Sequence, residues 1–115
     1  MKDVAIVSYC RTGIAKATRG ALNQTHGIAM AAHVMKEAVA RAKIEAGEIE
    51  DVVLGCGLPE GATGHNVARN AALFAGFGVG VPGITEPLLW SGRVRVVRRE
   101  RDRARRDFVR HRRRR

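Results

Sequence analysis

Val52-Val53-Leu54-Gly55-Cys56-Gly57-Leu58-Pro59-Glu60-Gly61-Ala62-Thr63-Gly64-His65-Asn66-Val67-Ala68-Arg69-Asn70-Ala71-Ala72-Leu73-Phe74-Ala75 is the stretch on which the reading of the fold turns. Val52 to Cys56 is a short β-branched run without helical periodicity, the pattern of a buried strand. Pro59 to Gly64 is punctuated by Pro and Gly and reads as a loop. Asn66 to Ala75 reads as a helix rich in small residues and suited to close packing, with Gly76 and Gly78 positioned to end it.

Upstream, Val4-Ala5-Ile6-Val7-Ser8 has the same texture as Val52–Cys56 and predicts a first buried strand. From Arg11-Thr12-Gly13 to Asn23-Gln24 the chain is polar and Gly-punctuated, a loop too long for a tight connection and of the kind that often carries function. Ile28, Ala31, Ala32, Met35, Ala38, Val39 and Ala42 recur at three and four, predicting an amphipathic helix with Thr25 as N-cap and Gly47 as stop. Strand, helix and strand in this order suggest a βαβ unit with a parallel pair. Gly80-Val81-Pro82-Gly83-Ile84-Thr85 leads into a third strand.

Beyond Thr85 the texture changes. Residues 1–85 carry a formal net charge of +1, whereas residues 86–115 hold 13 arginines against four acids and carry +9 of the chain's +10. Such a tail is expected to bind nucleic acid or other polyanions at least incidentally, by neutralising phosphates and releasing counterions. Trp90 and Phe108 are its only aromatic residues, so it lacks interleaved stacking platforms. Arg95–Arg106 is compatible with a charged helix, although Val96, Val97 and Ala104 are too few to make a binding face.

At 115 residues the chain has room for one small domain. Cys10 and Cys56 have neither CxxC spacing nor the density of a disulfide scaffold, and are expected as reduced thiols. The N-terminus is too briefly apolar for a secretory signal, and no run approaches the roughly 20 apolar residues of a membrane span. These features predict a soluble, cytoplasmic protein without membrane partners.

The order of segments is similar to the start of a thiolase: a strand, Arg11-Thr12, a loop through Gly20-Ala21-Leu22, a helix, then Asp51-Val52-Val53-Leu54-Gly55. Pro59 to Leu73 resembles that family's Gly-rich loop and following helix, and Val81-Pro82-Gly83-Ile84-Thr85 resembles its lead into the nucleophile strand. Gly13 stands where the family more often has proline. The resemblance implies an α/β fold, the opening portion of a layered thiolase-like structure with mixed sheet and packed helices. Residues 1–85 would be a partial N-terminal domain and 86–115 a basic tail, disordered or read out of frame.

For the parent family the resemblance implies acyl transfer between 3-ketoacyl-CoA or acetyl-CoA and CoA through an acyl-cysteine. CoA thioester is then substrate, with no other cofactor and no metal, and the subunits form homo-oligomers. It places the acyl-accepting cysteine at position 90, where this chain has Trp90. Thioester exchange needs a thiolate that attacks and later leaves, which an indole cannot do. No catalytic residue is therefore expected here, and the chain reads as a truncated, inactive thiolase-like protein. Cys10, Cys56, His26, His33, His65 and His111 match no nucleophile or base position, and are expected to cap, pack or face solvent. Asn66 and Arg69 fall where the resemblance places the subunit contact.

The genetic code gives the out-of-frame reading some content. A family-like Val-Asn-Arg-Phe-Cys-Gly written GTG AAC CGC TTC TGT GGN and read two bases late yields Glu-Pro-Leu-Leu-Trp, the residues at 86–90. A GC-rich gene read in that way would also be rich in arginine codons. The rival readings are a selected polyanion-binding tail and a non-catalytic partner of full-length subunits.

Overall fold

A computed structural model describes residues 5–87 and 94–98. Helix α1 spans Gly27–Ala42, strand β1 Ile49–Gly55, helix α2 Val67–Phe74, strand β2 Gly83–Glu86 and strand β3 Val94–Arg98. Short 3-10 turns at Ala46–Glu48 and Gly61–Thr63 precede β1 and α2. The sheet has the order β2-β1-β3. β1 runs parallel to β2, with Val52 opposite Gly83 and Leu54 opposite Thr85, and antiparallel to β3, with Val52 opposite Val96. The result is a mixed α/β arrangement, as the sequence implies.

The three- and four-residue spacing predicted α1, and the helix turns Ala32 and Met35 fully into the core. Its cap is one residue later than the predicted Thr25: the His26 ring Nδ1 accepts a hydrogen bond from the Ile28 amide at 3.1 Å. It ends before Gly47, because Lys43 takes a left-handed conformation (φ 54°) and its amide turns back to the Ala40 carbonyl. Glu37 and Arg41 form an exposed i,i+4 ion pair at 2.7 Å, whose hydrogen bond and charge raise the Arg41 pKa above its ordinary value.

The core is a small-residue assembly. Ile49, Val52 and Leu54 from β1 meet Val67, Ala68, Ala71 and Ala72 from α2, with Ala75, Phe77 and Val81 closing one end and Val96 packed against the cluster. Alanine on α2 lets the helix axis lie close to the strands. Gly83 shows how close: a Cβ there would sit 2.6 Å from the Arg69 nitrogen and 2.7 Å from its Cα, both backbone atoms with no freedom to give way.

Three expectations need correction. Residues 5–8 form no strand, and Ile6 and Val7 are 89% and 73% exposed; Val4 lies outside the described residues. Both edges of β1 are taken by β2 and β3, which leaves residues 5–8 no place beside β1. The parallel pair is consequently supplied by β1, α2 and β2, not by the first predicted strand, α1 and β1. Within the tail, Val94–Arg98 is a strand, neither disordered nor part of a charged helix. Its three valines among two arginines favour extended backbone. Glu86, at the start of the tail, is the last residue of β2; residues 88–93 and 99–115, Trp90 and His111 included, lie outside the described residues.

Gly83→Ala is expected to cost about 1–3 kcal/mol by forcing β2 off α2. Gly13→Ala, with nothing within 4 Å of the added methyl, should be close to neutral. Urea denaturation followed by circular dichroism compares the two.

Candidate functional site

The glycine-rich loop reaches α2 through three left-handed residues: Gly61 (φ 56°), His65 (φ 53°) and Asn66 (φ 56°). The loop is held upstream by the Thr63 hydroxyl, which donates to the Leu58 carbonyl at 2.6 Å. Asn66 then caps α2, its Oδ1 accepting from the Arg69 amide at 3.2 Å. Asparagine tolerates the left-handed region better than most residues, which suits it to a cap approached in this way.

The same side chain ties the helix to the sheet. Asn66 Nδ2 donates to the Gly83 carbonyl at 2.9 Å, and the Thr85 hydroxyl donates to Asn66 Oδ1 at 2.8 Å. Thr85 Oγ1 in turn accepts from the amide of the fully buried Ala68 at 3.1 Å. One turn along, the Arg69 guanidinium donates to the Val79 carbonyl at 2.9 Å and to the Val81 carbonyl. Asn70 Nδ2 donates to the His65 carbonyl at 2.9 Å, closing the loop onto the helix. The amide of Asn66 and the fork of Arg69 are thus engaged within the chain, holding β2 and the turn before it against α2.

Gly83, Thr85 and Asn70 are members of this network to which the sequence alone assigned no role. For the first two the signal was alternation: Gly83 and Thr85 lie two apart on a strand, so both face the helix.

The thiols and imidazoles are scattered. The Cys10 thiol donates to the Val34 carbonyl at 3.1 Å, and Cys56, just past the end of β1, packs against the core as a small apolar residue. His26 caps α1 in place of the expected Thr25, and His33 lines an open, mainly apolar cavity of about 560 Å³ between α1 and the 11–25 loop, with Arg11, Thr12, Ile14, Leu22 and Met30. Among the described residues no three His, Cys, Asp or Glu side chains are grouped to hold a metal, and no helix is long and apolar enough to cross a membrane.

A parallel β-α-β unit, entered through a glycine-rich loop and locked by a helix-capping asparagine, defines an α/β protein in which the junction of loop, helix and strand is the organised site. The chain belongs to the thiolase family: the model of the thiolase N-terminal domain matches residues 4–86. It is 40% identical over 85 residues to a 3-ketoacyl-CoA thiolase of Bacillus subtilis (strain 168), covering 74% of this chain and 22% of that protein. The 3-ketoacyl-CoA thiolase of Vibrio vulnificus (strain YJ016) is 40% identical over 86 residues with the same coverage, and that of Vibrio parahaemolyticus is 35% identical over 85 residues. The chain therefore spans about a fifth of the length of these relatives. Residues 87–115, β3 included, lie outside the matched stretch.

Thr85→Val keeps the shape but leaves the buried Ala68 amide and Asn66 Oδ1 without the hydroxyl, at an expected cost of about 1–3 kcal/mol. Thr85→Ser, which retains it, should lose much less. Denaturant midpoints of the two variants provide the comparison.

Proposed function

We propose that this chain is the opening part of a thiolase-type acyltransferase and that its 115 residues do not themselves transfer acyl groups. The parent activity we assign is acyl exchange between a 3-ketoacyl-CoA or acetyl-CoA and free CoA, through an acyl-cysteine. The observation that carries this reading is the contrast between a family-like stretch running through β2 and a tryptophan at position 90, where the resemblance places the nucleophile. The acyl-cysteine step requires a sulfur that adds to the thioester carbonyl, expels CoA thiolate and is later expelled in turn. Neither Cys10 nor Cys56 has a place in it by this reading, one bonded to a helix carbonyl and the other packed against the core.

What the described residues do in such a parent is positional. Asn66, Thr85 and Arg69 hold β2 on α2, and β2 is the strand that runs toward position 90. In a full-length subunit the exposed side of the Asn66–Arg69 segment would lie at a contact between like subunits, in a homo-oligomer. Two free cysteines suit a reducing compartment, and we place the protein in the cytoplasm.

We further propose that residues 86–115 are an out-of-frame continuation of a thiolase gene, on the strength of the Glu86–Trp90 back-translation. The second reading, a polyanion-binding tail, is favoured by the +9 charge of those residues.

Purified chain mixed with acetoacetyl-CoA and CoA is expected to give no acetyl-CoA by chromatography, and sustained turnover would sink the proposal. Sequencing the gene across codons 80 to 120 should reveal Val-Asn-x-x-Cys in another frame. If no frame encodes it, the tail is genuine, and duplex binding that weakens steeply with salt becomes the expected property.

A further inference from the structure

β1 has one edge on β2, and its other edge is occupied by β3. The strand on that second edge lies outside the stretch that matches the family, whereas residues 4–8, strand-like in sequence, lie inside it, and of these the described residues 5–8 form no strand. The molecule thus holds two short β-branched segments and one place beside β1.

Three further observations connect residues 4–8 to that place. First, α1 packs over β3, so the occupied edge lies beneath α1. Second, the chain just after residues 4–8 is tethered along α1. Arg41, in the last turn, donates to the Tyr9 carbonyl at 3.5 Å, Cys10 donates to Val34, and Arg11 and Thr12 line the cavity beside Ala29, Met30 and His33. The path from Tyr9 to Thr12 therefore runs from the C-terminal end of α1 toward its N-terminal end. α1 passes into β1 through the short connection 43–48, and β1 runs back in the same sense. A segment that entered the sheet along the line of Tyr9 to Thr12 would have the direction that parallel pairing with β1 demands. Third, their present position is poor: Ile6 and Val7 are exposed, and the Ser8 hydroxyl oxygen is buried without a hydrogen-bond partner.

We propose that residues 4–8 and β3 are rival occupants of one edge of β1. The chain has two alternative sheets, β2-β1-β3 as observed and one in which β3 withdraws and residues 4–8 enter parallel to β1. The exchange replaces an antiparallel ladder from the arginine-rich segment with a parallel ladder that covers Ile6 and Val7. It does not depend on whether the chain has acyltransferase activity.

Amide hydrogen exchange on the intact chain tests this. In the parent sequence, amides of 94–98 should exchange slowly and those of 5–8 at the rate of unstructured chain. Val53 turns its backbone polar groups toward β3, since the Val52 amide bonds to Pro82 on the β2 side, so Arg95→Pro, opposite Val53, removes a ladder donor and breaks β3. With α1 and α2 still protected, exchange at 5–8 should then slow at least tenfold, and unchanged fast exchange there would overturn the proposal.

A trap covers the case in which that variant fails to fold. We place Ile6 or Val7 opposite Val53 in the parallel pair, so that in a chain with Cys10→Ser, Cys56→Ser and Val53→Cys either Ile6→Cys or Val7→Cys should form a disulfide within one molecule under mild oxidation. That disulfide should accelerate exchange at 94–98. Failure of both pairs to close, closure only between molecules, or closure that leaves 94–98 protected would each refute the rivalry.

Discussion

The close approach of β2 to α2 is the constraint from which the rest of the described structure follows. With glycine at position 83 the strand backbone comes within van der Waals distance of the helix backbone at Arg69, and no side chain lies between them. At that separation the polar groups at the start of the helix must be satisfied locally, because water has no room to reach the buried Ala68 amide. Thr85 and Asn66 meet this need with two short side chains that bond to each other and to both backbones. The alanines at 68, 71 and 72 make the same geometry possible further along α2. Small residues and short polar side chains are thus one solution to one spatial problem.

Much of this was legible from residue types. Apolar spacing located α1, the composition of 66–75 located α2, and the β-branched run at 52–56 located β1, because each is a local pattern with its own period. Cap details shifted by a residue where side-chain chemistry permitted more than one solution: His26 does with an imidazole nitrogen what Thr25 was expected to do with a hydroxyl. The role of Asn66 and Arg69 was less legible. Sequence marks them as polar residues early in a helix, but whether their bonds turn inward or outward depends on where the Val79–Gly83 backbone lies.

The strands were harder to read for a different reason. A strand is stabilised by its partner, so local composition cannot say which of several suitable segments is paired. Val4–Ser8 and Val94–Arg98 are both suitable, and the second holds the edge of β1 in the described arrangement. The valines of 94–98 were visible in the sequence, yet the surrounding arginines dominated the reading of that region.

The modest size of the buried side chains has a thermal consequence. Among the described residues only Met35 and Val52 are large side chains fully shut from solvent, and alanine supplies five of the twelve buried apolar residues. The heat-capacity increment of unfolding grows with the apolar surface that becomes hydrated. A core built in this way exposes little such surface when it opens, so its stability curve is broad, changing slowly on warming or cooling.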